Sequence, residues 1–138
     1  MINYTKFFRK NDKVDINIED LLIRSVHSDK EARDFFVENK SDEDIFLKIL
    51  DIIEVSESGD ARMEGAYWIS QYSSNLISQY EERVLKLMDE EWDSVVVHIM
   101  MALSKIKSKK AFIKIINERI KTRSQWEIKA LMNYIENE

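Results

Sequence analysis

The chain lacks several residue types on which common folds and chemistries depend. Among its 138 residues there is no cysteine, no proline, and only two glycines, Gly59 and Gly65. Without cysteine, the chain can form neither disulfides nor thiolate zinc sites, and it has no cysteine nucleophile. A β-sandwich or β-barrel needs glycine and proline at its many turns, so a fold of that kind is nearly excluded.

Motifs that carry chemistry are equally scarce. Histidine occurs only at His27 and His98, and both are predicted to have structural or surface roles. The acidic groups at residues 42–44 and 89–93 lack the mid-loop glycine of a calcium site. No P-loop, GxGxxG or nucleophile elbow occurs. The sequence therefore predicts a protein that is not an enzyme and has no cofactor or metal site.

Long apolar runs are absent too. Charged residues interrupt the first ten positions, where a secretory signal would be continuously apolar. No apolar run approaches the length of a membrane span. We therefore expect a soluble cytoplasmic protein that has no membrane partner.

Apolar residues instead recur at helical spacing along most of the chain. Ile18, Leu21, Leu22 and Val26, for example, fall on one helical face. Such stripes predict an all-α fold of about eight helices, each of about 10 to 16 residues, joined by short polar links. We expect a single all-helical domain over residues 1–138, in which residues 1–15 could form a loosely ordered N-terminal arm.

Polar residues before these stripes mark the expected helix starts. Ser28, Ser41, Asp60, Asp93 and Ser108 are the predicted N-caps. The helix after Asp60 has so broad an apolar surface that we expect it to be central and heavily packed. One continuous core is predicted, to which the following residues contribute: Phe46, Leu50, Trp68, Ile69, Leu87, Ile99, Leu103, Ile116 and Leu131.

The helices also show an imperfect repeat. Apolar segments at residues 49–53, 84–88 and 112–116 each precede a link and a second helix, at spacings of about 35 and 28 residues. Ala102-Leu103 matches Ala130-Leu131. Over residues 41–138 this pattern resembles degenerate HEAT repeats, although the proline of the family's first helix is missing. The resemblance implies stacked antiparallel helix pairs in an α-solenoid, and the alternative is an unrelated orthogonal bundle.

Charge is distributed unevenly along the sequence. Residues 14–93 contain eight lysines and arginines against 21 aspartates and glutamates, about −13. Residues 94–138 contain nine against four, about +5. The repulsion within the acidic segment would be relieved by a basic partner, whereas the phosphates of nucleic acid would be repelled. We therefore expect a basic protein partner and no nucleic acid.

The candidate partner surface lies in the acidic links. The predicted partner-binding residues are Glu57, Asp60, Glu64, Asp89, Glu90, Glu91, Trp92 and Asp93. Trp92 stands among carboxylates, where it either anchors a partner or tucks into the seam between repeats.

Size, acidity and helical repetition together resemble small bacterial immunity proteins, including those of contact-dependent growth inhibition. That resemblance implies binding and neutralisation of a cognate basic toxin domain, often a nuclease. The alternative function is a HEAT-like scaffold or adaptor in another assembly. A third hypothesis is a HEAT-like DNA glycosylase, which needs a basic groove with aromatic residues and a catalytic carboxylate. It is disfavoured because the lysines of this chain cluster at one link, while much of the rest is acidic.

Overall fold

The computed structural model describes residues 17–90 and 93–114, and every regular element within these ranges is a helix. The all-α prediction is thereby confirmed for this part of the chain. The described α-helices are α1 (Ile18–Val26), α2 (Lys30–Glu38), α3 (Glu43–Val55), α4 (Gly59–Gln71), α5 (Ser74–Gln79), α6 (Glu81–Lys86), α7 (Asp93–Lys105) and α8 (Lys109–Lys114), with a 3-10 helix at Leu87–Asp89 between α6 and α7.

Helix α4 occupies the centre of the fold, as its apolar surface predicts. It packs against α1, α3 and α7. A Cβ atom on Gly65 would lie 3.0 Å from Cγ1 of Ile53 and 3.3 Å from Cγ2 of Ile49. Glycine at this position therefore lets α3 and α4 approach closely.

The predicted core is confirmed wherever the structure describes it. Phe46, Leu50, Trp68, Ile69, Leu87, Ile99 and Leu103 are all buried in one cluster. The last two predicted core residues, Ile116 and Leu131, lie outside the described residues. The indole of Trp68 stacks on the ring of Phe36, with centroids 5.3 Å apart, and so joins α4 to α2.

Two tight corners share one backbone geometry. Ser28, between α1 and α2, and Lys107, between α7 and α8, have positive φ values of 66° and 53°. In each corner the amide of the next residue bonds back across the turn, from Asp29 to the carbonyl of Arg24 and from Ser108 to that of Leu103. This is the Schellman closure of a helix C-terminus.

Several helix starts differ from the prediction. Ser28 cannot cap α2, because it adopts the left-handed conformation that closes α1, and Asp29 caps α2 instead. The caps of α3 and α4 are Asp42 and Ser58 rather than Ser41 and Asp60. The predicted cap of α8 is confirmed, since the hydroxyl of Ser108 accepts a hydrogen bond from the amide of Ala111.

Two positions on α7 test the core directly. Leu103 is fully buried, whereas Met101 on the same helix is 46% exposed. We expect Leu103→Ala to lower the free energy of unfolding by about 2–5 kcal/mol, because it leaves a cavity in a packed core. Met101→Ala should cost less than about 1 kcal/mol. Urea denaturation of both variants measures the difference, and equal losses would mean that α7 does not bury Leu103.

Candidate functional site

Four of the predicted partner-binding residues lie at one end of the described structure. Glu57 is in the link before α4, Asp60 is in the first turn of α4, and Asp89 and Glu90 follow α6. We call these four residues the acidic end. Carboxylates in the first turn of α4 are favoured there by the helix dipole.

A half-buried ion pair brings the two halves of the acidic end together. The guanidinium of Arg62 on α4 contacts the carboxylate of Glu90, and the two side chains are 18% and 21% exposed. Nε of Arg62 also donates to the backbone carbonyl of Ile53, at 3.0 Å. Arg62 therefore fixes the end of α3 and the 3-10 segment to the start of α4, and Glu90 has a structural role.

Two other carboxylates of the acidic end have partners within the chain. Oδ2 of Asp60 lies 3.7 Å from Nε2 of His27, and Oδ1 of Asp89 lies 3.0 Å from Nζ of Lys114. Both carboxylate side chains remain more than half exposed. Exposed pairs of this kind contribute at most about 1 kcal/mol, so a partner's cation can compete for the carboxylates. Glu57 is exposed and makes no ion pair with a described residue.

The prediction that Glu64 contacts a partner is not supported by its position. Its side chain is buried, with 6% of the residue exposed, and its carboxylate accepts a hydrogen bond from the hydroxyl of Ser25. The same hydroxyl accepts a hydrogen bond from Nε1 of Trp68, at 3.1 Å. Glu64 thus belongs to a polar network between α1 and α4. The helical spacing of Glu64 with Ala61, Trp68 and Ile69 was the signal that could have placed it in the core.

The other three predicted site residues lie wholly or partly outside the described residues. Glu91 and Trp92 lie outside the described residues, as does the side chain of Asp93. Asp93 is the first residue of α7, so it lies one position beyond the N-cap that the sequence predicts for it.

The structure contains a second acidic surface, which is not among the predicted partner-binding residues. Helix α3 exposes Glu43, Asp44, Asp51 and Glu54 on its outer side. The guanidinium of Arg83, from α6, bonds the carboxylates of Asp51 and Glu54. The polar residues between the apolar residues of α3 could have indicated this surface from the sequence. Their ion pairs with Arg83 of α6 are visible only in the tertiary structure.

His98, on α7, is a partly buried histidine that packs against Tyr67 of α4. Its Nδ1 atom is buried and has no hydrogen-bond partner among the described residues. The imidazole meets the ring of Tyr67 edge to face, with centroids 5.7 Å apart. Burial lowers the pKa of His98 below its usual 6.5, so the ring is neutral near pH 7.

Comparisons with known proteins give no further guidance. No family model, curated protein or solved structure matches this chain. Within the described ranges, no helix has the length and apolar character needed to cross a membrane. Over the same ranges, no group of three or more histidine, aspartate or glutamate side chains is arranged to hold a metal ion.

Glu64 and Glu57 form a matched pair for a test of burial. We expect Glu64→Ala to destabilise the fold by about 1–3 kcal/mol, because it leaves the hydroxyl of Ser25 without its buried acceptor. Glu57→Ala should change stability by less than about 0.5 kcal/mol, because that side chain is exposed. The comparison needs only urea unfolding at pH 7. A stability unchanged by Glu64→Ala would contradict the buried network.

The neutral state of His98 predicts a pH dependence of stability. The folded state has the lower pKa, so the unfolded chain binds more protons at this histidine as the pH falls below about 6.5. Stability from His98 is therefore fully present above pH 6.5 and declines below it. We expect His98→Phe to flatten this part of the curve when unfolding is measured from about pH 5 to 7.5. An unaltered slope would show that His98 is not desolvated.

Proposed function

We propose that this chain is a non-catalytic protein-binding module, an immunity protein that neutralises a basic toxin domain through its acidic surface. The supporting observation is the charge of the exposed side chains between residues 17 and 90. Exposed lysines and arginines there are Lys30, Arg33, Lys48 and Lys86. They are outnumbered by exposed carboxylates: Asp20, Glu38, Glu43, Asp44, Asp51, Glu54, Glu57, Asp60, Glu82 and Asp89.

The internal ion pairs do not neutralise this surface. Most of them are exposed, so water and salt screen them and a competing cation can displace them. A basic partner would add favourable charge pairs and would relieve the repulsion between neighbouring carboxylates. The acidic end therefore supports recognition of a basic protein.

The other end of α4 has the opposite charge. Lys105, Lys107, Lys109 and Lys110 are exposed around the corner between α7 and α8. Nζ of Lys105 donates to the carbonyl of Tyr72, just beyond the C-terminus of α4, at 2.8 Å. A basic partner would be repelled from this corner and attracted to the acidic end, so the charge separation favours one docking orientation.

The alternative function, a HEAT-like scaffold or adaptor, draws support from the two similar helix corners. Each has a buried serine before its left-handed residue and a buried alanine in the helix that follows, at Ser25 and Ala32 and again at Ser104 and Ala111. Recurrence of one corner is a feature of repeat architectures. Genomic context separates the two functions, since an immunity gene is expected directly downstream of a toxin gene.

Charge reversal tests where a basic partner binds. A partner is first identified by pull-down from the source organism with mass spectrometry, and its binding is then followed by stopped flow. We expect Glu57→Lys combined with Asp60→Lys to lower the association rate about tenfold at low salt, and much less at high salt. Glu90 is unsuitable for this purpose because its reversal would break the pair with Arg62.

The matched control reverses two exposed carboxylates elsewhere, Asp20 and Glu38 on α1 and α2. This variant has the same net charge, so a non-specific effect would slow association equally in both. A specific site predicts that the Glu57 and Asp60 variant is slower by at least about threefold. An association rate indifferent to salt and to both variants would place the interface elsewhere.

A further inference from the structure

Residues 80–90 form an irregular helical stretch between α5 and α7, which we call the 80–90 segment. Tyr80 ends α5 with φ of −112° and ψ of 28°, and no side chain caps the first turn of α6. Helix α6 has six residues and continues as the 3-10 helix Leu87–Asp89. A helix this short is not stable by itself. The contacts of the 80–90 segment with its neighbours therefore determine whether it stays folded.

Apolar burial supplies one part of these contacts. Val84, Leu87 and Met88 are buried in the core, whereas the other side chains of residues 81–90 are half-buried or exposed. Helix α7, over 13 residues, buries six apolar side chains: Val95, Val96, Ile99, Met100, Ala102 and Leu103. A region with fewer buried apolar contacts has a lower free energy of local opening. The 80–90 segment therefore depends more on its polar contacts than α7 does.

Polar side chains hold the 80–90 segment to α3. The guanidinium of Arg83 donates to the carboxylate of Glu54 twice, from Nη2 to Oε1 at 2.9 Å and from Nε to Oε2 at 3.1 Å. It also contacts the carboxylate of Asp51. The hydroxyl of Tyr80 donates to the carboxylate of Glu43. Two parallel bonds between an arginine and a carboxylate fix geometry as well as adding energy, so Arg83 is the principal polar contact between the segment and α3.

Other polar contacts join the segment to α8 and α4. Three of its carboxylates are paired with α8 or with the residue that caps it: Glu81 with Ser108, Glu82 with Lys110, and Asp89 with Lys114. The fourth, Glu90, is held by Arg62 of α4. Every carboxylate of the segment thus has a partner on a different element.

These ion pairs are exposed enough to respond to salt. The side chains of Lys110 and Glu82 are 62% and 68% exposed, and that of Arg83 is 31% exposed. The screening length of charges in water falls from about 20 Å at 0.02 M salt to about 4 Å at 0.5 M. One exposed pair is weak, but several of them act on the same short segment, so their losses add.

We propose that the 80–90 segment is a salt-sensitive latch, which opens locally when its ion pairs are screened, while the rest of the described fold stays closed. Opening separates Glu90 from Arg62 and Asp89 from Lys114, so the acidic end is complete only when the latch is closed. Ionic strength then controls the geometry of the acidic end. The latch rests on contacts within the chain and does not depend on the proposed toxin binding.

Hydrogen exchange of the full 138-residue chain, followed by NMR at neutral pH, tests the latch. The amides of Val84 and Leu87 report on the segment, because they bond to the carbonyls of Tyr80 and Val84. The amides of Trp68 and Ile69, at the buried centre of α4, report on the whole fold. Between about 0.02 M and about 0.5 M salt, we expect exchange at Val84 and Leu87 to accelerate about three- to tenfold relative to exchange at Trp68 and Ile69.

Two arginine variants form a matched pair. Arg83→Met keeps the apolar stem of the side chain and removes its charge, so exchange at Val84 and Leu87 should be about three- to tenfold faster at low salt and should depend less on salt. Arg24→Met removes the same charge from a side chain that is 33% exposed and pairs with three carboxylates in and beside α1 and α2. Arg24→Met should leave the exchange of the 80–90 segment relative to α4 unchanged.

A third variant covers the case in which Arg83→Met does not fold. Asp51→Asn combined with Glu54→Gln removes the charges that Arg83 contacts, from side chains at the surface of α3, and should reproduce the faster exchange at low salt. If salt leaves the exchange at Val84 and Leu87 unchanged, or accelerates the amides of α4 equally, there is no local latch. Unchanged exchange in the α3 double variant would also overturn the proposal.

Discussion

The burial of α4 is the constraint on which the rest of the described structure depends. Because α1, α3 and α7 pack around it, every polar group on its covered faces needs a partner inside the protein. The carboxylate of Glu64 and the indole of Trp68 share the hydroxyl of Ser25. Lys105 donates to the carbonyl groups of Ser70, in the last turn of α4, and of Tyr72, just beyond it. Gly65 supplies the space that α3 requires. Removal of the Ser25 hydroxyl, for example, would leave the carboxylate of Glu64 and the indole N–H of Trp68 without this hydrogen-bond partner at the centre of the fold.

The same packing separates the charges of the molecule. Carboxylates collect at the start of α4 and lysines at its end, an arrangement that complements the dipole of the central helix. The ion pair of Arg62 with Glu90 and that of Lys114 with Asp89 show that part of the acidic charge serves the fold itself. A protein partner of the acidic end would therefore meet one carboxylate, that of Glu90, already held in place by Arg62. Such pre-organisation lowers the entropic cost of binding.

Helix α7 connects the acidic end to the packing around α4. It begins shortly after the acidic end and packs its buried face on α4. His98 lies at the edge of this buried face, where its ring meets that of Tyr67 on α4.

The sequence alone determined the helical fold, the central position of α4, the described part of the core and the acidic character of residues 17–90, because each of these follows from periodicity and composition. Helix caps were harder to predict, as at Ser28, where the backbone of the preceding corner decided the role of the side chain. The tertiary structure decided which carboxylates are available. Glu64 and Glu57 are both predicted to bind the partner, but Glu64 packs against α1 and Glu57 faces water.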